Sequence, residues 1–237
     1  HETRPSISHE RAELLTDFYL QNEGKYSVPV MRGLHFKYQC EKKTIYIGPG
    51  ELIVGERGPS PKAVSTFPEL NCHSVEDLEI LNSRKMTSYA VSPETIAVYR
   101  NKVIPYWETR SMRAKLFRSI PQEWKDCYEA GMFTEFMEQR APGHTTLDGT
   151  IYEKGMLDFK REIAEHLARL DYMNDPEATC EAEELTGMDY SCDAAILFAE
   201  RHADLAKKMA AEETDEVRRK ELLKIADICR WVPAHAP

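Results

Sequence analysis

The chain has 237 residues, and 40 Asp and Glu against 31 Lys and Arg leave a formal net charge of −9, which argues against a nucleic-acid binder. A hydrophobic content of 42% with 30% charged residues is that of a globular protein rather than a disordered one. No apolar run approaches the roughly 18 residues of a membrane span, and no basic-then-apolar secretory leader is visible.

A first helix is expected after Pro5-Ser6-Ile7-Ser8, with Ser8 capping its backbone donors and Ala12, Leu15, Phe18 and Tyr19 on one face. A shorter second helix is expected over 33–41. Residues 44–47 and 52–54 are β-prone runs on either side of Gly48-Pro49-Gly50, which predicts a small hairpin that must lean on other elements. Residues 55–73 follow neither period and read as a long ordered loop. From Ser74 onward the pattern is helical. Ser74 with Asp77 predicts a capping box, Ser92 should cap a helix opened by Pro93, and Pro105 should kink or break that helix. Pro121 opens a helix through Trp124, Cys127 and Tyr128. Long helices are expected over 154–173, over 177–213 with Gly187 as a candidate break, and over 216–230. Opposite charges such as Glu162/His166 and Asp215/Arg219 read as solvated faces, whereas Leu157, Ile163, Leu167 and Leu170 form a packing stripe. The expected fold class is mainly α with one β-hairpin.

The chemistry-bearing residues concentrate in one place. Between Phe133 and Tyr152 an apolar approach breaks at Pro142-Gly143 and presents His144, Thr145, Thr146, Asp148 and Tyr152 ahead of the next helix. A histidine held at such a bend can exchange a proton near neutral pH. The plainer alternative is that His144 bonds a neighbouring helix end. Cys127-Tyr128-Glu129 places a thiol beside a carboxylate, but the helical period runs through it. His35, His166 and His202 lie in helical patterns, as surface or satisfied core groups. The six cysteines include no Cys-x-x-Cys, which is the usage of a reducing compartment and of small buried thiols. Cys72-His73 is a poor pair for one zinc ion, and no phosphate loop, His-Glu-x-x-His or Gly-x-Ser-x-Gly occurs.

Several stretches carry a resemblance that periodicity does not supply. Arg4-Pro-Ser-Ile-Ser-His-Glu-Arg-Ala12, Gly50-Glu-Leu-Ile-Val-Gly-Glu-Arg-Gly58, Phe67-Pro-Glu69 and Ile104-Pro-Tyr-Trp107 resemble the amino-terminal region of glycyl radical enzymes, the pyruvate formate-lyase-like superfamily. Tyr128-Glu-Ala-Gly-Met-Phe-Thr-Glu-Phe-Met-Glu-Gln-Arg-Ala-Pro-Gly-His-Thr145 is most similar to the trans-4-hydroxy-L-proline dehydratase branch, and the likeness runs on to Val232-Pro-Ala-His235. The resemblance implies that 1–237 is the amino-terminal helical part of a pyruvate formate-lyase-type domain, which in the intact family packs around a ten-stranded α/β barrel. It also implies that Phe136 and His144 line the substrate cavity, moving His144 from a structural to an active-site reading.

The family's Gly-Cys-x-Glu thiyl loop and Arg-Val-x-Gly radical loop do not occur in these residues. The chain is therefore expected to be a truncated piece, inactive alone. The radical would be stored on a carboxyl-terminal glycine, installed by an activase using S-adenosylmethionine and an iron–sulfur cluster, with no metal or cofactor held by this chain. Implied partners are a small-molecule substrate, the activase and the remaining polypeptide, with a homodimer when intact and no nucleic acid or membrane, in anaerobic cytoplasm. Rival readings are a diol dehydratase, a choline or sulfonate lyase, a formate acetyltransferase-like enzyme, or a stand-alone helical interaction module. An isolated piece should expose apolar surface and associate.

Overall fold

The structure, a computed structural model, describes residues 4–133 and 147–237. It is mainly helical, as expected. Two compact units are defined by internal contacts, one of 1–16 with 64–148 and the other of 17–63 with 149–237. The helix α1 (Glu10–Asn22) is shared between them.

In the first unit, β1 (Ser6–Ser8) pairs with β2 (Ala63–Ser65), and Ser6 forms a further parallel bridge to Ala90. Ser8 Oγ accepts the Glu10 amide at 3.3 Å, the expected cap of α1. Helix α3 (Val75–Ser83) opens on the capping box: Ser74 Oγ accepts the Asp77 amide at 3.1 Å while Asp77 accepts the Ser74 amide at 2.9 Å. Helix α4 (Pro93–Val98) is capped by Ser92. It does not break at Pro105. The chain widens into a π turn over Tyr99–Val103, where the Ile104 amide reaches Tyr99 O, and continues as α5 (Ile104–Trp107). A proline inside an α-helix lacks its donor and crowds the carbonyl four residues back, and the wider turn relieves both. Helices α6 (Met112–Ser119) and α7 (Gln122–Glu129) complete the described part of this unit.

The second unit is a helical stack of α2 (Val28–Lys42), α8 (Met156–Leu167), α9 (Ala178–Glu212) and α10 (Glu216–Trp231). Helix α2 starts five residues earlier than expected, because Pro29 sits in its first turn, where a missing N–H breaks no bond. Helix α8 is shorter than expected, since Asp171 takes the amides of Met173 and Asn174 into a turn. Helix α9 runs unbroken through Gly187. That glycine is a crossing point: a Cβ there would lie 2.6 Å from Pro29 O, and one on Gly33 would lie 2.4 Å from Gly187 O. On the next stretch of α9, Ala203, Ala206 and Ala210 let α10 approach, burying Leu222, Ile225 and Ala226 with Ile47. Charges fix the register. Lys160 of α8 meets Asp189 at 2.7 Å and Asp193 at 2.8 Å, and Lys37 of α2 meets Asp193 at 2.8 Å. Burial alone would raise the Asp193 carboxyl, but hydrogen bonds from Lys160 and Lys37 hold it below the usual range.

The hairpin expected over 44–54 does not form. Neither 44–47 nor 52–54 is a strand; the small sheet is instead the β1–β2 pair. Carbonyls of the intervening turn, and two just beyond the segment, go to side chains. Arg218 donates to Gly48 O at 3.2 Å and Glu51 O at 2.8 Å, and Lys43 donates to Glu56 O and Arg57 O. The apolar signal arises because Ile47 and Val54 pack on the α9–α10 core.

Candidate active site

Phe136 and His144 lie outside the described residues, so the site is built from its two flanks and from the frame that carries them. On the amino-terminal flank, α7 ends where the Ala130 amide bonds Asp126 O and Gly131 turns left-handed at φ +72°. The Met132 amide then returns to Cys127 O at 3.0 Å. This aims Phe133 back onto the helix it has just left. Its ring meets Trp124 at 5.6 Å edge to face and Tyr128 at 6.1 Å. Tyr128 meets Phe117 at 5.1 Å, and the Arg113 guanidinium covers Phe117 at 4.4 Å. Four aromatic rings and a cation thus hold the chain two residues before Glu135. On the other flank, Leu147 and Asp148 both adopt left-handed dihedrals, φ 67° and 46°, before a 3₁₀ turn over Asp148–Tyr152. Left-handed non-glycine residues cost on the order of 1–3 kcal/mol each and gather at functional segments.

The frame of the first unit is made from the stretches singled out by resemblance. Arg11 forks onto Glu69 with contacts of 3.1 and 2.5 Å, donates to Thr66 O at 3.0 Å and lies 4.0 Å over the Phe67 ring. Tyr99 OH donates to Thr66 Oγ1, and burial drives that phenol's pKa upward. Trp107 Nε1 donates to Thr16 Oγ1 at 3.0 Å, whose own proton goes to Ala12 O. Arg4 bonds Asn82 O and, at 2.7 Å, Tyr89 O. The amides of Met112 and Arg113 bond Glu69 O and Leu70 O, so the same frame launches α6.

Elsewhere the candidate groups are structural. All six cysteines are free. Burial pushes the Cys40 thiol up to about 11, and burial with Glu108 and Asp77 nearby pushes Cys72 up to about 12, so neither is an activated nucleophile. His202 is buried and donates from Nδ1 to Phe198 O at 2.8 Å. His35 packs 5.7 Å from both Phe18 and Tyr19. His166 pairs with Glu181 at 2.8 Å rather than with Glu162, which takes Lys154, and Arg219 pairs with Glu216 while Asp215 caps α10. Among the described residues no group of three His, Cys, Asp or Glu converges as a metal site would require. Sequence reading missed the Arg113–Phe117–Tyr128–Phe133 stack, although Trp124 and Tyr128 at helical spacing were its visible trace. The paired left-handed residues Leu147 and Asp148 gave no signal, since neither is glycine.

Comparison with known proteins adds to this geometry. The family model described as pyruvate formate lyase-like matches residues 1–237. The chain is 47% identical over 233 residues to the trans-4-hydroxy-L-proline dehydratase of Clostridioides difficile, covering 98% of this chain and 30% of that protein. It is 31% identical over 241 residues to the isethionate sulfite-lyase of Nitratidesulfovibrio vulgaris, covering 98% of this chain and 29% of that one. The crystal structure of the C. difficile hydroxyproline dehydratase with trans-4-hydroxy-L-proline bound superposes with a TM-score of 0.93 over 100% of this chain and 30% of its own, at 47% identity. The chain therefore spans about 30% of the length of the curated relatives it matches.

Proposed function

The chain belongs to the pyruvate formate lyase-like family of glycyl radical enzymes, and from that premise we propose that it is the amino-terminal portion of a dehydratase that eliminates water from trans-4-hydroxy-L-proline. The observation that carries this reading is the 47% identity, sustained over 98% of the chain, to an enzyme of that name. Under this reading the thiyl and glycyl radicals, which supply hydrogen-atom abstraction, reside on polypeptide beyond these residues and are installed by a radical S-adenosylmethionine activase. The enzyme works as a homodimer in anaerobic cytoplasm.

This chain's own part is the 134–146 segment. His144 hydrogen-bonds the substrate hydroxyl and gives it a proton as it departs, so that it leaves as water and not hydroxide. Phe136 forms an apolar wall that keeps bulk water away from the reacting carbon. The Trp124–Tyr128–Phe133 cluster and the Leu147–Asp148 turn anchor the two ends of the segment.

The test uses the protein encoded by the full reading frame, activated anaerobically. His144→Gln and His144→Ala should lower kcat by at least about a hundredfold, the usual scale of general acid catalysis, with the electron paramagnetic resonance signal of the glycyl radical unchanged. Normal dehydration by both variants would remove the histidine from the mechanism.

A further inference from the structure

His202 is 2% exposed within α9, and its two ring nitrogens are in different situations. Nδ1 faces Phe198 O at 2.8 Å, and a carbonyl can only accept, so Nδ1 carries the proton of the neutral ring. Nε2 is then a buried lone pair, and among the described residues it meets no hydrogen-bond partner. The imidazole stands edge to face on Phe198 with centroids 4.5 Å apart, and the Lys43 ammonium lies 4.9 Å over the same Phe198 ring. Lys43, just past α2, and Arg201, beside His202 on α9, are the charges that act on the imidazole, and no carboxylate among the described residues offsets them. The Cys40 thiol near the same two cations is pushed up to about 11 by burial and stays neutral below that.

The same groups fasten one segment of the second unit. Lys43 holds Glu56 O at 2.8 Å and Arg57 O at 3.0 Å, while Arg201 donates to Cys40 O and, at 2.9 Å, to Lys43 O. Gly55, left-handed at φ +112°, passes over Phe198, where a Cβ would lie 3.8 Å from the ring. Ile47 and Val54 pack on the core that contains Ala203 and Ala206. Residues 43–57 are thus seated on the stretch of α9 that bears His202. We propose that His202 is a proton-operated latch for this segment: the neutral imidazole lets 43–57 seat on α9, and protonation of Nε2 releases it while the helices stay packed. A proton on Nε2 creates a second buried donor without an acceptor and a third positive charge beside Lys43 and Arg201. A buried unpaired charge costs far more than an unpaired neutral atom. Lifting a segment held by two side-chain cations relieves it, whereas moving His202 itself would unwind α9.

The latch does not depend on the substrate. It is tested on the unactivated protein of the full reading frame by hydrogen exchange, corrected for the intrinsic pH dependence of amide exchange. Released from burial, His202 titrates near its ordinary value of about 6.5. Below that pH, protection of the 43–57 amides should fall by up to about tenfold per pH unit, while the 216–230 amides of α10 keep theirs. His202→Asn keeps a donor for Phe198 O but takes up no proton, and it should abolish the slope, as should His202→Gln. Protection of 43–57 that does not change with pH in the wild-type protein would overturn the proposal, and so would an equal loss over 216–230, which is global unfolding. Both readings need neither variant to fold. A slope that survives in the variants would overturn it too, and hydroxyproline turnover bears on none of these outcomes.

Discussion

At Gly33 and Gly187 the space for a side chain is already occupied by backbone. The atoms a Cβ would strike are peptide oxygens of a crossing helix, which cannot swing aside as a flexible side chain could. Gly33→Ala or Gly187→Ala should therefore destabilise by about 1–3 kcal/mol, the range for overpacked cores, read as a lower denaturant midpoint. Arg11 makes a different kind of contact. Its fork on Glu69, its bond to Thr66 O and its stacking on Phe67 all use the guanidinium plane. Arg11→Lys keeps the charge yet should still lower stability, because an ammonium cannot reproduce the fork or the stack. The loss should fall below the roughly 3–5 kcal/mol of breaking a fully buried pair. His202 and His73 give the pH dependence. Burial lowers both pKa values; at His202 the hydrogen bond to Phe198 O opposes this while Lys43 and Arg201 add to it, and at His73 Asp77 opposes it. Above the unfolded value of about 6.5 both are neutral in either state, and stability is complete. Below it the unfolded chain takes up protons first, so stability should fall with pH from there downward. Thermal melts should show that slope, and His202→Gln should flatten it.

Among the elements, α9 organises the second unit. It is about 52 Å long at 1.5 Å per residue and meets α2, α8 and α10 in turn through glycine, charge and alanine contacts. Its extent was legible in the sequence because 35 residues of helical pattern lack a proline and end near Asp215, a good cap. Gly187 misled, since a glycine that ends a helix and one that admits a neighbour look alike in one dimension. The capping box of Ser74 and Asp77 was legible because it depends on residues three apart. The false hairpin over 44–54 was the reverse case: what holds it lies outside the segment, Arg218 on the turn carbonyls of Gly48 and Glu51 and the α9–α10 core under Ile47 and Val54. Arg218→Ala should therefore free the 48–51 turn. Hydrogen exchange there should quicken while α9 remains protected.

For the whole molecule, two lines of reasoning meet. Sequence alone marked the Pro142-Gly143-His144 bend, because its side chains are reactive and its backbone punctuated. Composition and period could not supply the substrate, since neither reports which side chains a fold brings together. Resemblance supplied the family, and the full-length match of the family model bears that out. In the first unit, the Arg11–Glu69 frame shows the family motifs packed on one another.

The most direct measurement is turnover by the activated, full-length protein, offered trans-4-hydroxy-L-proline, isethionate and propane-1,2-diol separately under strict anaerobiosis. The expected result is water elimination from hydroxyproline alone, abolished in His144→Gln while the glycyl radical signal persists. Cleavage of isethionate or the diol in preference to hydroxyproline, or undiminished turnover without the imidazole, would contradict it.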